Sequence, residues 1–146
     1  MKPFTLQAVL DLRKRREDLA QNRLFEAKQA VKRIETKLLQ EQRILTETLN
    51  ILDSLQKEGI EIGTLIRYED KIQRLRDNIQ AIEKNLQNKK TIVQQVHEML
   101  VACSKEHKIM KRLKEEKNKA WQQYLNKKEV AMLDEIGVMR HDNTVY

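Results

Sequence analysis

Nine residues at a strict spacing of seven, Leu65, Ile72, Ile79, Leu86, Val93, Leu100, His107, Lys114 and Trp121, run through the second half of this chain on one phase. A second row follows three places after most of them: Tyr68, Leu75, Ile82, Val96, Cys103, Met110 and Tyr124. Alternating spacings of three and four keep such side chains on one stripe of an α-helix under-wound to ~3.5 residues per turn, which is the geometry of a coiled-coil seam. A helix with that stripe needs another helix against it.

The first third of the chain supplies one. Leu10, Leu24, Val31, Leu38, Leu45 and Leu52 form one row, and Leu6, Ala20, Ala27, Ile34 and Leu55 lie in the companion row. Between the two seams stand Gly59 and Gly63, and no other glycine or proline interrupts the chain from Phe4 to Ile136. Gly59 can take the left-handed conformation that ends a helix, and Thr64 can cap the next one. The pattern predicts a helix over about 5–57, a turn over about 58–64, a helix over about 65–138 and a short tail at 139–146. Together these make one all-α domain, a long antiparallel two-helix coiled-coil hairpin with the longer helix at the C-terminus.

Folding the chain back at residue 60 pairs Leu55 with Leu65, Leu45 with Leu75, Leu38 with Ile82 and Leu24 with Val96. At the open end it sets Arg13 opposite His107 and Glu17 opposite Cys103. A register displaced by one heptad satisfies the same loop. At 1.5 Å per residue the helices would be roughly 80 Å and roughly 110 Å long, so the second outruns the first by about 20 residues.

Composition fits a two-helix seam better than a thick core, with 35% charged and 4% aromatic residues. No apolar run approaches the ~20 residues of a membrane span, and the N-terminus lacks the apolar stretch of a signal peptide. The expectation is a cytoplasmic protein without membrane insertion. Cys103, the single cysteine, sits on the seam, where a free thiol packs as a small hydrophobe.

Chemistry is sparse. The chain has no glycine-rich phosphate loop and no nucleophile elbow. Cys103 and His107 share a helix face, but two ligands without a third do not enclose zinc. His97 and His141 have no acid or nucleophile at a diagnostic spacing. A two-helix seam also offers no concave, water-poor pocket in which to shift pKa values and orient groups. The chain is therefore expected not to be an enzyme and to have no catalytic residue, metal site or cofactor.

The net charge of +7 is unevenly spread. Arg13, Lys14, Arg15 and Arg16 are consecutive, and Lys105, Lys108, Lys111, Arg112, Lys114, Lys117 and Lys119 crowd the part of the second helix that faces them. Such an end is either a solvated helix surface or a dock for an acidic or polar partner. A basic run ahead of a leucine-type row also imitates a basic-zipper DNA reader. Here Glu17 and Asp18 follow the run at once and the second helix already occupies the seam, so no specific nucleic-acid reading is expected, only a nonspecific phosphate attraction. Beyond residue 117, Trp121, Tyr124, Leu125, Met132, Leu133 and Ile136 continue at helical spacing, as side chains that fray or bind.

Three stretches carry a family resemblance. The start, Phe4, Leu6, Val9, Leu10, Leu12, Arg13, Glu17, Ala20, Leu24 and Ala27, resembles the opening of the FliJ family. Gly59, Ile60, Ile66, Tyr68, Ile72 and Leu75 are similar to its turn and second-helix start, and Glu129, Met132, Leu133, Asp134, Glu135 and Ile136 to its C-terminal ending. The resemblance implies a stalk of the bacterial flagellar type III export apparatus, associated peripherally with the inner face of the cell membrane. Its implied partners are the hexameric export ATPase FliI, the export-gate membrane protein FlhA and export chaperones. On that likeness Arg13, Lys14, Arg15, Arg16, Lys111, Arg112, Trp121, Tyr124 and Leu133 are candidate ATPase contacts. Ile44, Thr48, Tyr68, Lys71 and Leu75, near the turn, are the implied export-gate contacts. The stalk proteins of virulence-type injectisomes share the implied shape and role and form the alternative.

Overall fold

The computed structural model describes residues 5–144, with side chains described as far as residue 140. It contains two helices, α1 (Gln7–Glu58) and α2 (Ile62–Thr144), packed against each other as an all-α helical hairpin with the longer helix second. No strand occurs among the described residues.

The link between the helices is only Gly59, Ile60 and Glu61. Gly59 has φ +95°, the left-handed conformation in which a Cβ is strained and glycine is not, so α1 stops there. The turn is shorter than the 58–64 expected from sequence. The amide of Leu65 donates to the carbonyl of Glu61 at 3.0 Å, so Glu61 holds the position that opens α2. Thr64 consequently lies inside the helix rather than capping it, and Gly63 is a helical residue. At the far end α2 continues to Thr144, through most of the stretch expected to be a tail. Gly137 is tolerated inside it, at an intrinsic cost of only ~1 kcal/mol.

Burial follows the heptad rows. All nine first-row positions of α2, from Leu65 to Trp121, are buried or half-buried. In α1 the rows hold from Leu10 onward, whereas Leu6 is 37% exposed and stands outside the seam. Polar residues fill the gaps in the α1 rows: Arg13, Glu17 and Glu41 are half-buried and Thr48 is buried. The chain divides into two units, one of residues 1–19 with 101–146 and one of residues 20–100. In the second unit Leu52, Ile72, Ile79, Ile82 and Leu86 are buried toward the turn and Ala20 is buried at the opposite end. In the first unit Leu10 is the buried apolar residue among those described.

Candidate partner-docking surfaces

The unit of residues 1–19 with 101–146 carries the basic clusters. Two charged pairs cross its seam. The Arg13 guanidinium donates to Glu106 Oε2 at 2.7 Å, and His107 Nδ1 lies 3.3 Å from Glu17 Oε1, with both side chains mostly buried. The first pair is one residue from the expected partner of Arg13, and the second is one helical turn from the expected partner of Glu17. They bracket the register expected for a fold at residue 60 and rule out, for this unit, one displaced by a heptad.

The pairing sorts the basic residues. Arg13 is held by Glu106 and half-buried, while Lys14, Arg15 and Arg16 project into solvent on the helix next to it. Lys111 and Arg112 are likewise exposed on α2. A shallow groove runs beside them, lined by Gln7, Leu10, Asp11, Lys14, His107, Lys111, Lys114 and Glu115. Charged and amide side chains surround Leu10 there.

Farther along α2, Trp121 is half-buried and its ring stacks on that of Tyr124, with centroids 5.4 Å apart and planes 24° from parallel. The i, i+3 spacing brings the two rings onto one helix face. From Gln122 to Arg140 every residue is exposed. Tyr124, Val130, Met132, Leu133, Val138 and Met139 all show more than half of their surface. The sequence-derived ATPase candidates thus all fall in this one unit: Lys14, Arg15, Arg16, Lys111, Arg112, Tyr124 and Leu133 are exposed, and Arg13 and Trp121 are half-buried.

The candidates near the turn fall in the unit of residues 20–100, and they do not form one surface. Ile44 and Lys71 are exposed, while Tyr68 and Leu75 are half-buried seam residues. Thr48 is 3% exposed, and its hydroxyl donates to the carbonyl of Ile44 at 2.7 Å. A side chain so placed has no atom to offer a partner, which does not fit the export-gate contact implied for Thr48. The heptad row contains the reason: Thr48 is seven residues before Leu55 and fourteen after Ile34, both seam residues.

Sequence reasoning passed over other groups in this unit. Phe25 is 64% exposed, Leu39 63% and Ile62 73%. The signal for them is a large apolar residue at a heptad position outside both rows. It is a weak signal, because single exposed apolar side chains are common on any protein surface.

Among the described residues no group of His, Cys, Asp or Glu is arranged to hold a metal ion. Nor does any helix of the described residues have the length and apolarity to cross a membrane. A protein-family model described as flagellar FliJ protein matches residues 1–144. No curated protein and no solved structure matches the chain.

Proposed function

The chain belongs to the FliJ family, whose members are components of the flagellar protein export apparatus, and from that premise we propose that it acts there as a non-enzymatic stalk that couples the hexameric export ATPase to the export gate. The unit of residues 1–19 with 101–146 docks into the ATPase. Lys14, Arg15, Arg16, Lys111 and Arg112 steer the encounter, and Tyr124 and Leu133 supply apolar contact. The turn-side unit faces the gate through Ile44 and Lys71. Export chaperones are further partners, and the chain works at the inner face of the cell membrane without entering it.

The observation that carries this reading is the coincidence, in one unit, of exposed basic clusters with an unbroken exposed stretch from Gln122 to Arg140. A hexameric ring that accepts a central element needs from it long-range attraction and apolar anchors. Charges at a rim act mainly on the rate of encounter, whereas desolvated aromatic and aliphatic anchors act on dissociation. Membership of a flagellar family favours this over the injectisome reading.

The test uses Lys14→Glu, Arg15→Glu and Arg16→Glu together, leaving Arg13 in its pair with Glu106. Association with the cognate export ATPase, followed by stopped-flow or surface-based kinetics, should slow by about tenfold and lose much of its salt dependence. Helical content should stay as it was, since all three side chains are exposed. An association rate equal to that of the unaltered chain would show that the cluster is only a solvated face.

A further inference from the structure

In the unit of residues 20–100 the buried seam residues lie toward the turn and, at the other end, at Ala20. Between Ala20 and Thr48 in α1, and between Leu86 and Leu100 in α2, no residue is fully buried. Where residues 27–31 of α1 lie against residues 93–96 of α2 the seam side chains are short: Ala27 and Val31 on one helix, Val93 and Val96 on the other. Short side chains fill the space between two helices poorly, and what remains is an open groove. Val31 and Val93 give it an apolar floor, and Lys28, Lys32, Glu35, Lys90, Gln94 and His97 line the rest.

Two features make this groove more than a gap. Its lining is predominantly hydrocarbon, yet its rim carries three lysines against one carboxylate. Among the described residues none of Lys28, Lys32 and Lys90 is in an ion pair. The face also extends beyond the groove. Phe25 and Leu39 lie seven residues to either side of Lys32, hence on the same stripe of α1, and both are more than 60% exposed. The stripe from Phe25 to Leu39 is roughly 21 Å long, about four helical turns.

We propose that this face is a docking site for an acidic amphipathic helix of a partner protein, laid along the groove as a third helix. The apolar stripe of the partner sits on Val31 and Val93 with Phe25 and Leu39 at its two ends, and its flanking Asp and Glu side chains meet Lys28, Lys32 and Lys90. An apolar floor selects an amphipathic helix read at i, i+3, i+4 and i+7. An excess of unpaired cations selects acidic flanks and repels basic ones. A second copy of this chain laid groove to groove is disfavoured on the same ground, because it would set lysine against lysine. The site lies wholly within residues 20–100 and does not rest on the ATPase reading.

The test is binding of a fluorescein-labelled helical peptide of four heptads, with a leucine seam and glutamate flanks, to the full chain by fluorescence anisotropy. Saturable one-to-one binding is expected. It should weaken about tenfold or more in the Lys28→Glu, Lys32→Glu, Lys90→Glu variant, and the same peptide with lysine flanks should bind that variant instead. Phe25→Ser with Leu39→Ser should also weaken it, with no change in melting temperature, since both side chains are exposed. The control is Arg33→Glu, Lys37→Glu and Lys84→Glu, an equal change of charge away from the groove, which should leave binding within about twofold. Absence of saturable binding, or equal weakening by the control, would overturn the proposal. So would self-association of the unaltered chain in sedimentation that the Phe25→Ser, Leu39→Ser variant abolishes, since a second copy would then own the face.

Discussion

Thr48 is the most buried polar residue among those described, and its hydroxyl spends its hydrogen bond on its own helix, four residues back. That arrangement satisfies the hydroxyl without help from α2, so the seam gains nothing polar from it. Replacing it by valine keeps the volume and removes a buried hydroxyl, and Thr48→Val should raise the unfolding midpoint, by about 0.5–1 kcal/mol in denaturant titration. Thr48→Glu should cost more than ~2 kcal/mol, because a charge would enter the seam without a partner. A Thr48→Glu chain as stable as the original would mean that the position faces water after all. The family resemblance implies an export-gate contact at Thr48, and its burial follows instead from its helical phase, seven residues before the seam residue Leu55.

At the scale of the elements, the two glycines near the turn look alike in sequence and differ in physics. A Cβ at Gly59 would meet nothing within 4 Å, yet φ +95° strains any residue that has one. Gly59→Ala should therefore destabilise the hairpin by about 1 kcal/mol, through backbone strain alone. Gly63 lies inside α2, and a Cβ added there would meet only a carboxylate oxygen of Glu61, at 4.0 Å. At that position Gly63→Ala should stabilise by about 0.5–1 kcal/mol, through helix propensity and a less flexible unfolded chain. Thermal melts of the two variants should move in opposite directions, and a shared direction would contradict the assignment of Gly59 as the helix stop.

The helices themselves were legible because the apolar period is unbroken: every first-row residue of α2 from Leu65 to Trp121 is buried or half-buried, even where the residue is His107 or Lys114. The exact turn was not legible. Gly59 was legible as the helix stop, but Thr64 offered a cap for α2 while the chain re-enters the helix at Ile62, so the turn is shorter than expected. The cross-seam pairs were nearly legible. Arg13 meets Glu106 beside the expected His107 because a long guanidinium reaches to the neighbouring position on the facing helix. The groove over Val31 and Val93 was hidden because a row of valine and alanine reads as seam, and how well short side chains fill it depends on the distance between helices, which sequence does not state.

At the scale of the molecule, the chain gives each of its two units a different surface chemistry. Residues 1–19 with 101–146 combine exposed cations with the exposed apolar stretch from Gln122 to Arg140, whereas residues 20–100 hold most of the buried apolar core and the valine-floored groove. On the proposed reading, the functional weight rests on what each unit binds. The central claim is that the first unit engages the export ATPase through its exposed stretch. Leu133 and Ile136 are 61% and 44% exposed, so replacing both by serine leaves the seam intact. The most direct measurement is the rate of ATP hydrolysis by the cognate export ATPase as the full chain is titrated in, with and without Leu133→Ser and Ile136→Ser. The account predicts that the unaltered chain stimulates hydrolysis and that the double variant needs at least about tenfold more protein for the same effect, at an unchanged melting temperature. Equal stimulation by both chains, or none by either, would contradict it.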